Sequence, residues 1–168
     1  AARIGMTPNM VTGIGFLLCV AATVLFWFGH FWEGMALGLV FMVLDTVDGK
    51  LARCTITSSA WGNVFDHGID LIHPPFWWYG WGAGLAAYGT PLSAAAFWGC
   101  MAAIMGGYVV QRLIEGAFIG AFGIHIHVWR RFDSWFRLIT ARRNPNMPIL
   151  AAFLVIGRPD WGLVAVAA

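Results

Sequence analysis

Apolar residues run through this chain in long blocks, each ended by a few glycine or polar positions. The first block, Met10 to Phe28, carries no charge and closes at Gly29-His30. The second runs from about Gly34 to Leu51, with Asp45 and Asp48 near its C-terminal end. The third, Trp61 to Tyr88, has Asp66 and Asp70 near its start. A Pro74-Pro75 pair one turn beyond Asp70 predicts a kink there, because proline removes a backbone donor and crowds the preceding turn. Leu92 to about Phe118 makes the fourth. At ~20 residues per helical crossing, each of these four is long enough to span a bilayer.

The pattern changes between Ile124 and Arg143. Here His125, His127, Arg130, Arg131, Asp133, Arg137, Arg142 and Arg143 interleave with Trp129, Phe132, Trp135, Phe136, Leu138 and Ile139. That mixture predicts an amphipathic, basic segment suited to a membrane surface. Met147 to Gly157 is a fifth apolar stretch of only about 16 Å as helix, so it is predicted to begin inside the basic segment or to lie tilted. Arg158-Pro159-Asp160 predicts a turn, and Trp161 to Ala168 the start of a sixth helix that stops mid-span. The fold class is therefore all-α: a polytopic membrane protein of six transmembrane helices, the sixth truncated, with an amphipathic segment at the cytoplasmic face. No internal repeat or low-complexity linker breaks the chain, so residues 1–168 read as one membrane domain.

Composition strengthens that picture. The chain is 60% hydrophobic and 11% charged, against roughly 25% charged in soluble domains. Its mean hydropathy is +0.72. The 21 glycines suit close helix approach, and tryptophans such as Trp77, Trp78, Trp81 and Trp98 are expected as interfacial or lipid-facing anchors. Cys19, Cys54 and Cys100 lie far apart without ligand spacing and read as isolated thiols. If the spans alternate, Arg3, Lys50, Arg53 and the five arginines from Arg130 to Arg143 fall on one side, leaving Arg158 opposite. The positive-inside rule then makes the N-terminus and the mouth of the aspartate region cytoplasmic.

The acidic residues carry the chemistry. The chain has eight Asp and Glu in all, and four of them are Asp45, Asp48, Asp66 and Asp70. A carboxylate at membrane depth costs several kcal/mol unless it is paired, metal-bound or facing water. Asp45 and Asp48 are spaced i,i+3, and Asp66 and Asp70 i,i+4, so each pair shares one helix face. Two such faces turned together would form an oxygen cage for a hard divalent cation, Mg²⁺ or Mn²⁺. Structural ion pairing is the plainer reading, but only Lys50 and Arg53 lie nearby, which leaves excess negative charge. An ion or proton pathway also uses such carboxylates, without explaining Gly49, Ala52 and Arg53 beside them.

The full string, Asp45-x-x-Asp48-Gly49-x-x-Ala52-Arg53, eight residues, then Gly62-x-x-x-Asp66-x-x-x-Asp70, resembles the signature of the CDP-alcohol phosphotransferase family, with every fixed position filled. The resemblance implies transfer of a substituted phosphate from a CDP-linked alcohol to an acceptor hydroxyl, with release of CMP. It implies two divalent ions held by Asp45, Asp48, Asp66 and Asp70. Gly49, Ala52, Arg53, Ser59 and Gly62 would meet the nucleotide, and Asp70 would be the general base. His67 stands as a second candidate base, because metals near Asp70 would lower its basicity. Thr7-Pro8-Asn9-Met10-Val11-Thr12 resembles the start of the family's first helix and puts Asn9 near the nucleotide. Phe65-Asp66-His67-Gly68-Ile69-Asp70 also resembles the choline/ethanolamine phosphotransferase branch.

CDP-diacylglycerol is the donor first expected for a short, bacterial-looking member in an inner membrane. A small CDP-alcohol acting on a lipid hydroxyl is the alternative. The resemblance further implies a homodimer in the bilayer, with no nucleic-acid partner; a structural subunit of a larger membrane assembly is the non-enzymatic alternative. Arg142 and Arg143, ahead of an Asn144-Pro145 pair expected to end their helix, are candidates for binding an acceptor phosphate, while a solvated face and topology signal explains the same arginines. Arg112 and Glu115 are placed to pair, and His73 is either near the site or a packing histidine. His125 and His127 do not share a helix face and read as interfacial.

Overall fold

A computed structural model describes residues 6–55, 60–136 and 143–168. Its elements are α1 (Pro8–Trp27), α2 (Phe31–Thr55), α3 (Ala60–Tyr88), α4 (Ala94–Phe122), a single 3₁₀ turn (Ile126–Val128), α5 (Arg131–Phe136), α6 (Arg143–Val155) and α7 (Pro159–Ala167). No strand occurs among the described residues. Among the described residues six helices have nine residues or more, and between the fourth and fifth of these only the 3₁₀ turn and the short α5 are described. Contacts divide the chain into two units, Ala1–Pro91 and Leu92–Ala168.

In the first unit the local chemistry sets the helix ends. Thr7 caps α1 by accepting the Met10 N–H at 3.3 Å, and Pro8 occupies the first turn, where its missing donor costs nothing. At the other end Gly29 adopts φ 78°. The His30 N–H then reaches the Leu25 carbonyl at 2.9 Å and the Gly29 N–H the Phe26 carbonyl at 3.0 Å, which is the Schellman closure. The chain reverses there into α2, which begins three residues ahead of the predicted block and runs four beyond it.

The core of this unit is aromatic. Phe26, Phe31, Trp77 and Trp81 are all essentially fully buried. Phe31 stacks on Trp81 at 4.3 Å between ring centroids, and Phe26 meets Trp77 edge-on at 5.7 Å. The Trp77 indole N–H is satisfied by the Cys19 carbonyl at 3.1 Å. Trp77, Trp78 and Trp81 are thus buried rather than the interfacial or lipid-facing anchors expected from sequence, and Trp77 and Trp81 fill the space where α1, α2 and α3 meet. Glycine makes that packing possible. A Cβ added to Gly84 would run into the Phe26 carbonyl oxygen, and one added to Gly80 would lie 3.1 Å from the Thr23 carbonyl oxygen. Small residues four apart on α3 therefore bring its backbone against α1. Helix α3 continues through Pro74 and Pro75 as one element.

In the second unit Ser93 caps α4 by accepting the Ala96 N–H at 3.3 Å. Helices α6 and α7 pack together through Leu150, Leu154 and Leu163. Here two junctions differ from expectation. Asn144 and Pro145 lie in the first turn of α6 rather than ending a helix, and Pro159 opens α7 rather than lying in a turn. In both places proline sits where a helix has no intrahelical partner for an N–H, so it starts the helix instead of stopping one. Arg158 grips Asp160 with two hydrogen bonds, 3.0 Å from Nε and 2.7 Å from Nη2, while stacking over Trp161 at 4.2 Å.

Helices α1 and α4, at 20 and 29 residues, are long and apolar enough to cross a membrane. Helices α2 and α3, at 25 and 29 residues, have the length but also carry the acidic positions. Helices α6 and α7, at 13 and 9 residues, are shorter than the ~20 a crossing takes.

Candidate active site

Asp45 and Asp48 stand one turn apart on α2, and Asp66 and Asp70 one turn apart on α3. Both helices pack around α1, so the two acidic segments belong to the same unit. Asp48 is buried, at 4% exposure, and both its oxygens are engaged. Oδ2 accepts the Thr12 hydroxyl at 2.6 Å, and Oδ1 accepts the backbone N–H of Gly49 at 2.6 Å. A hydroxyl at that distance is in the range of a charge-assisted bond to a carboxylate. Asp45 is half-buried and Asp70 exposed. The Asp66 backbone is helical, and its side chain lies outside the description.

Around these carboxylates, Gly49 and Ala52 are half-buried and Arg53 is exposed. A Cβ on Gly49 would lie 3.8 and 3.9 Å from the two Nη atoms of Arg53, so the guanidinium folds back over the glycine. Nothing else described approaches that side of Gly49 within 4 Å, which leaves room beside the backbone and a fork of cationic donors next to it. Gly62 is half-buried on α3 and His67 is exposed one turn before Asp70. Asn9 is exposed as the second residue of α1. Ser59 and Arg142 lie outside the described residues; Arg143 opens α6 with its side chain likewise outside.

His73 packs into the core of the first unit. It is buried, its Nδ1–H donates to the Ile69 carbonyl at 2.7 Å, and its ring meets Phe41 and Trp77 edge-on at 5.2 and 5.1 Å. Arg112 and Glu115 pair as expected, at 2.8 Å. The residue that sequence reasoning passed over is Thr12. Its signal was present, a threonine at the end of the Thr7-Pro8-Asn9 string, but nothing in the sequence says that it reaches 36 residues ahead to Asp48.

No three His, Cys, Asp or Glu side chains come together as a metal-holding group among the described residues, with Asp66 outside that set. The donor chemistry nevertheless fits a hard cation. Every acidic donor is a carboxylate oxygen, and the Asp48 carboxylate is fixed in orientation by its two donors, each oxygen keeping lone-pair capacity.

Comparison with known proteins agrees with this chemistry. The family model described as CDP-alcohol phosphatidyltransferase matches residues 5–159. The chain is 36% identical over 83 residues to an uncharacterized CDP-alcohol phosphatidyltransferase class-I family protein of Schizosaccharomyces pombe, covering 42% of this chain and 22% of that protein. It is 38% identical over 79 residues to choline/ethanolaminephosphotransferase 1 of Arabidopsis thaliana, covering 40% and 20%. It is 38% identical over 91 residues to phosphatidylinositol phosphate synthase of Mycobacteroides abscessus, covering 48% and 41%. The matched stretches thus span about a fifth of the first two relatives and two-fifths of the third.

Proposed function

Because the chain belongs to the CDP-alcohol phosphatidyltransferase family of membrane-integral transferases, we propose that it moves a substituted phosphate group from a CDP-alcohol to an acceptor hydroxyl and releases CMP. The observation that carries this reading is Asp48, buried beside an accessible Gly49–Arg53 face and held at both oxygens, within an unbroken eight-position signature.

The acceptor oxygen forms a bond to the phosphorus that bears the donor's alcohol. The bond from that phosphorus to the bridging oxygen breaks, and CMP leaves with that oxygen. Asp70 takes the hydroxyl proton, with His67, one turn away on α3 and also exposed, as the second candidate base. Arg53 binds the diphosphate oxygens, and the small residues Gly49 and Ala52 let the nucleotide reach the α2 backbone, with Asn9, Ser59 and Gly62 completing its site. Asp45, Asp48, Asp66 and Asp70 would hold Mg²⁺ or Mn²⁺, most simply two ions, whose bound charge neutralises the diphosphate and the reacting phosphorus. Arg142 and Arg143 are assigned to an acceptor phosphate.

CDP-diacylglycerol is the donor we favour, supported by the match to phosphatidylinositol phosphate synthase, the longest of the three alignments above. A small CDP-alcohol acting on a lipid hydroxyl is the second reading. Its support is the Phe65–Asp70 string and the similarity to choline/ethanolaminephosphotransferase 1. We place the site at the cytoplasmic face of a bacterial inner membrane, in a homodimer, with both units serving one catalytic domain; the family match running across both supports the last point.

The test is CMP release by the protein in detergent with Mg²⁺ or Mn²⁺. CDP-diacylglycerol is offered against phosphorylated and free alcohols, and CDP-choline or CDP-ethanolamine with diacylglycerol. Metal-dependent CMP release tied to one pair establishes the reaction and selects the donor. A protein that binds neither metal nor CDP-alcohol sinks the proposal.

A further inference from the structure

Thr12 joins α1 to the acidic face of α2 through one short bond. Its hydroxyl lies 2.6 Å from Asp48 Oδ2 and 3.1 Å from the Pro8 carbonyl oxygen on its own helix. One proton serves two acceptors, and the shorter, charge-assisted contact is the one to the carboxylate. The alternative acceptor is the ordinary back-bond of a helical threonine, so without Asp48 the hydroxyl would turn to Pro8.

The register that produces this contact is set by packing. Gly15, one turn after Thr12, is buried, and a Cβ there would lie 3.2 Å from Phe41 Cδ2 and 3.9 Å from Leu44 Cβ. Leu44 and Phe41 precede Asp48 by four and seven residues and lie on its face of α2. The two helices run antiparallel along one seam: Gly15 against Phe41 and Leu44, then Thr12 against Asp48. The cap at Thr7 and Pro8 in the first turn fix where that seam begins.

We propose that Thr12 is a positioning residue for the divalent-metal site, orienting the Asp48 carboxylate so that its remaining lone pairs serve the ion. Thr12 holds Oδ2 and the Gly49 N–H holds Oδ1, so the carboxylate is set before any ligand arrives. The inference rests on the metal reading of Asp48 given above. Groups that orient a metal ligand typically change affinity by 10–100-fold when removed.

The experiment uses the full chain in detergent and reads Mn²⁺ binding from the rise in thermal midpoint with Mn²⁺ concentration, alongside the Mn²⁺ dependence of CMP release. Thr12→Val keeps the shape and removes the donor, so its half-saturating Mn²⁺ concentration should rise roughly tenfold or more in both readouts. Thr12→Ser, which keeps the hydroxyl, should bring it back to the wild-type value. A merely structural threonine would lower the metal-free midpoint and leave Mn²⁺ affinity unchanged. If T12V does not fold, Thr12→Cys against Thr12→Ser reads the same quantity, the thiol being a weak donor. Equal Mn²⁺ affinity in wild type and T12V, or in the Cys and Ser variants, overturns the inference. A T12S variant that behaves like T12V also overturns it. A wild type that takes up no Mn²⁺ overturns the metal reading itself, and the inference with it.

Discussion

In the unit built from α1, α2 and α3, Trp77 and Trp81 are fully buried, whereas Trp98, Trp129 and Trp135 of the other unit are half exposed or more. A contrast of the same kind holds between the glycines in the C-terminal half of α3 and those of α4. Gly80 and Gly84 on α3 have backbone or side chains against them, while Gly99, Gly106, Gly107, Gly116 and Gly120 on α4 have nothing within 4 Å of an added Cβ. Particular buried polar groups differ as well. Asp48 and His73 are held by hydrogen bonds within the first unit, while Gln111 Oε1 and Arg112 Nε on α4 are buried without a hydrogen-bond partner among the described residues. Two stretches of similar composition therefore do different physical jobs. One is an aromatic core beside which Asp48 is held by two hydrogen bonds; the other presents an apolar α4 surface that carries the Arg112–Glu115 pair.

The comparison breaks first at the carboxylates. Asp66→Ala should lower CMP release by roughly 10³-fold or more, a loss of about 4 kcal/mol in transition-state stabilisation, and weaken Mn²⁺ binding. The metal-free thermal midpoint should hardly move, and retained turnover would remove Asp66 from the site. Next comes the aromatic core. Trp77→Ala should destabilise the protein by roughly 3–5 kcal/mol, against within about 0.5 kcal/mol for Trp98→Ala. Equal shifts in thermal midpoint for the two would erase the distinction drawn between the units.

The glycines give a finer contrast. Gly84→Ala forces a methyl into the Phe26 carbonyl and should cost roughly 1–3 kcal/mol. Gly106→Ala meets no neighbour and should be neutral or gain up to about 1 kcal/mol of helix propensity. Thermal unfolding of the pair side by side decides this. The smallest effect belongs to the second unit's own ion pair. Asp160→Asn removes the charge that Arg158 grips, and should lower the thermal midpoint by less than Gly84→Ala does. The difference from wild type should shrink as salt is raised, because nearly half of the arginine side chain is exposed.

Much of this was legible along the chain. Blocks of apolar residues closed by glycine placed α1 and α3 within two residues of their observed ends, because a helix needs a run of compatible side chains and a residue tolerant of positive φ to stop it. The i,i+3 and i,i+4 spacing placed each aspartate pair on one helix face, since periodicity alone fixes that. The proline junctions were misread because a proline ends or begins a helix depending on whether the chain before it is already helical, and local sequence does not say which.

The all-α class, the membrane character and the family were readable along the chain, because each depends only on residue type and spacing. Three tryptophans expected as interfacial or lipid-facing anchors proved to be core, His73 packs against Phe41 and Trp77, and Thr12 holds Asp48; none of this could be seen before the helices were packed. Those outcomes turn on which helix lies against which, at distances set by Gly15, Gly80 and Gly84. A hydropathy pattern says that a face must be covered, by lipid or by protein; only packing chooses between them.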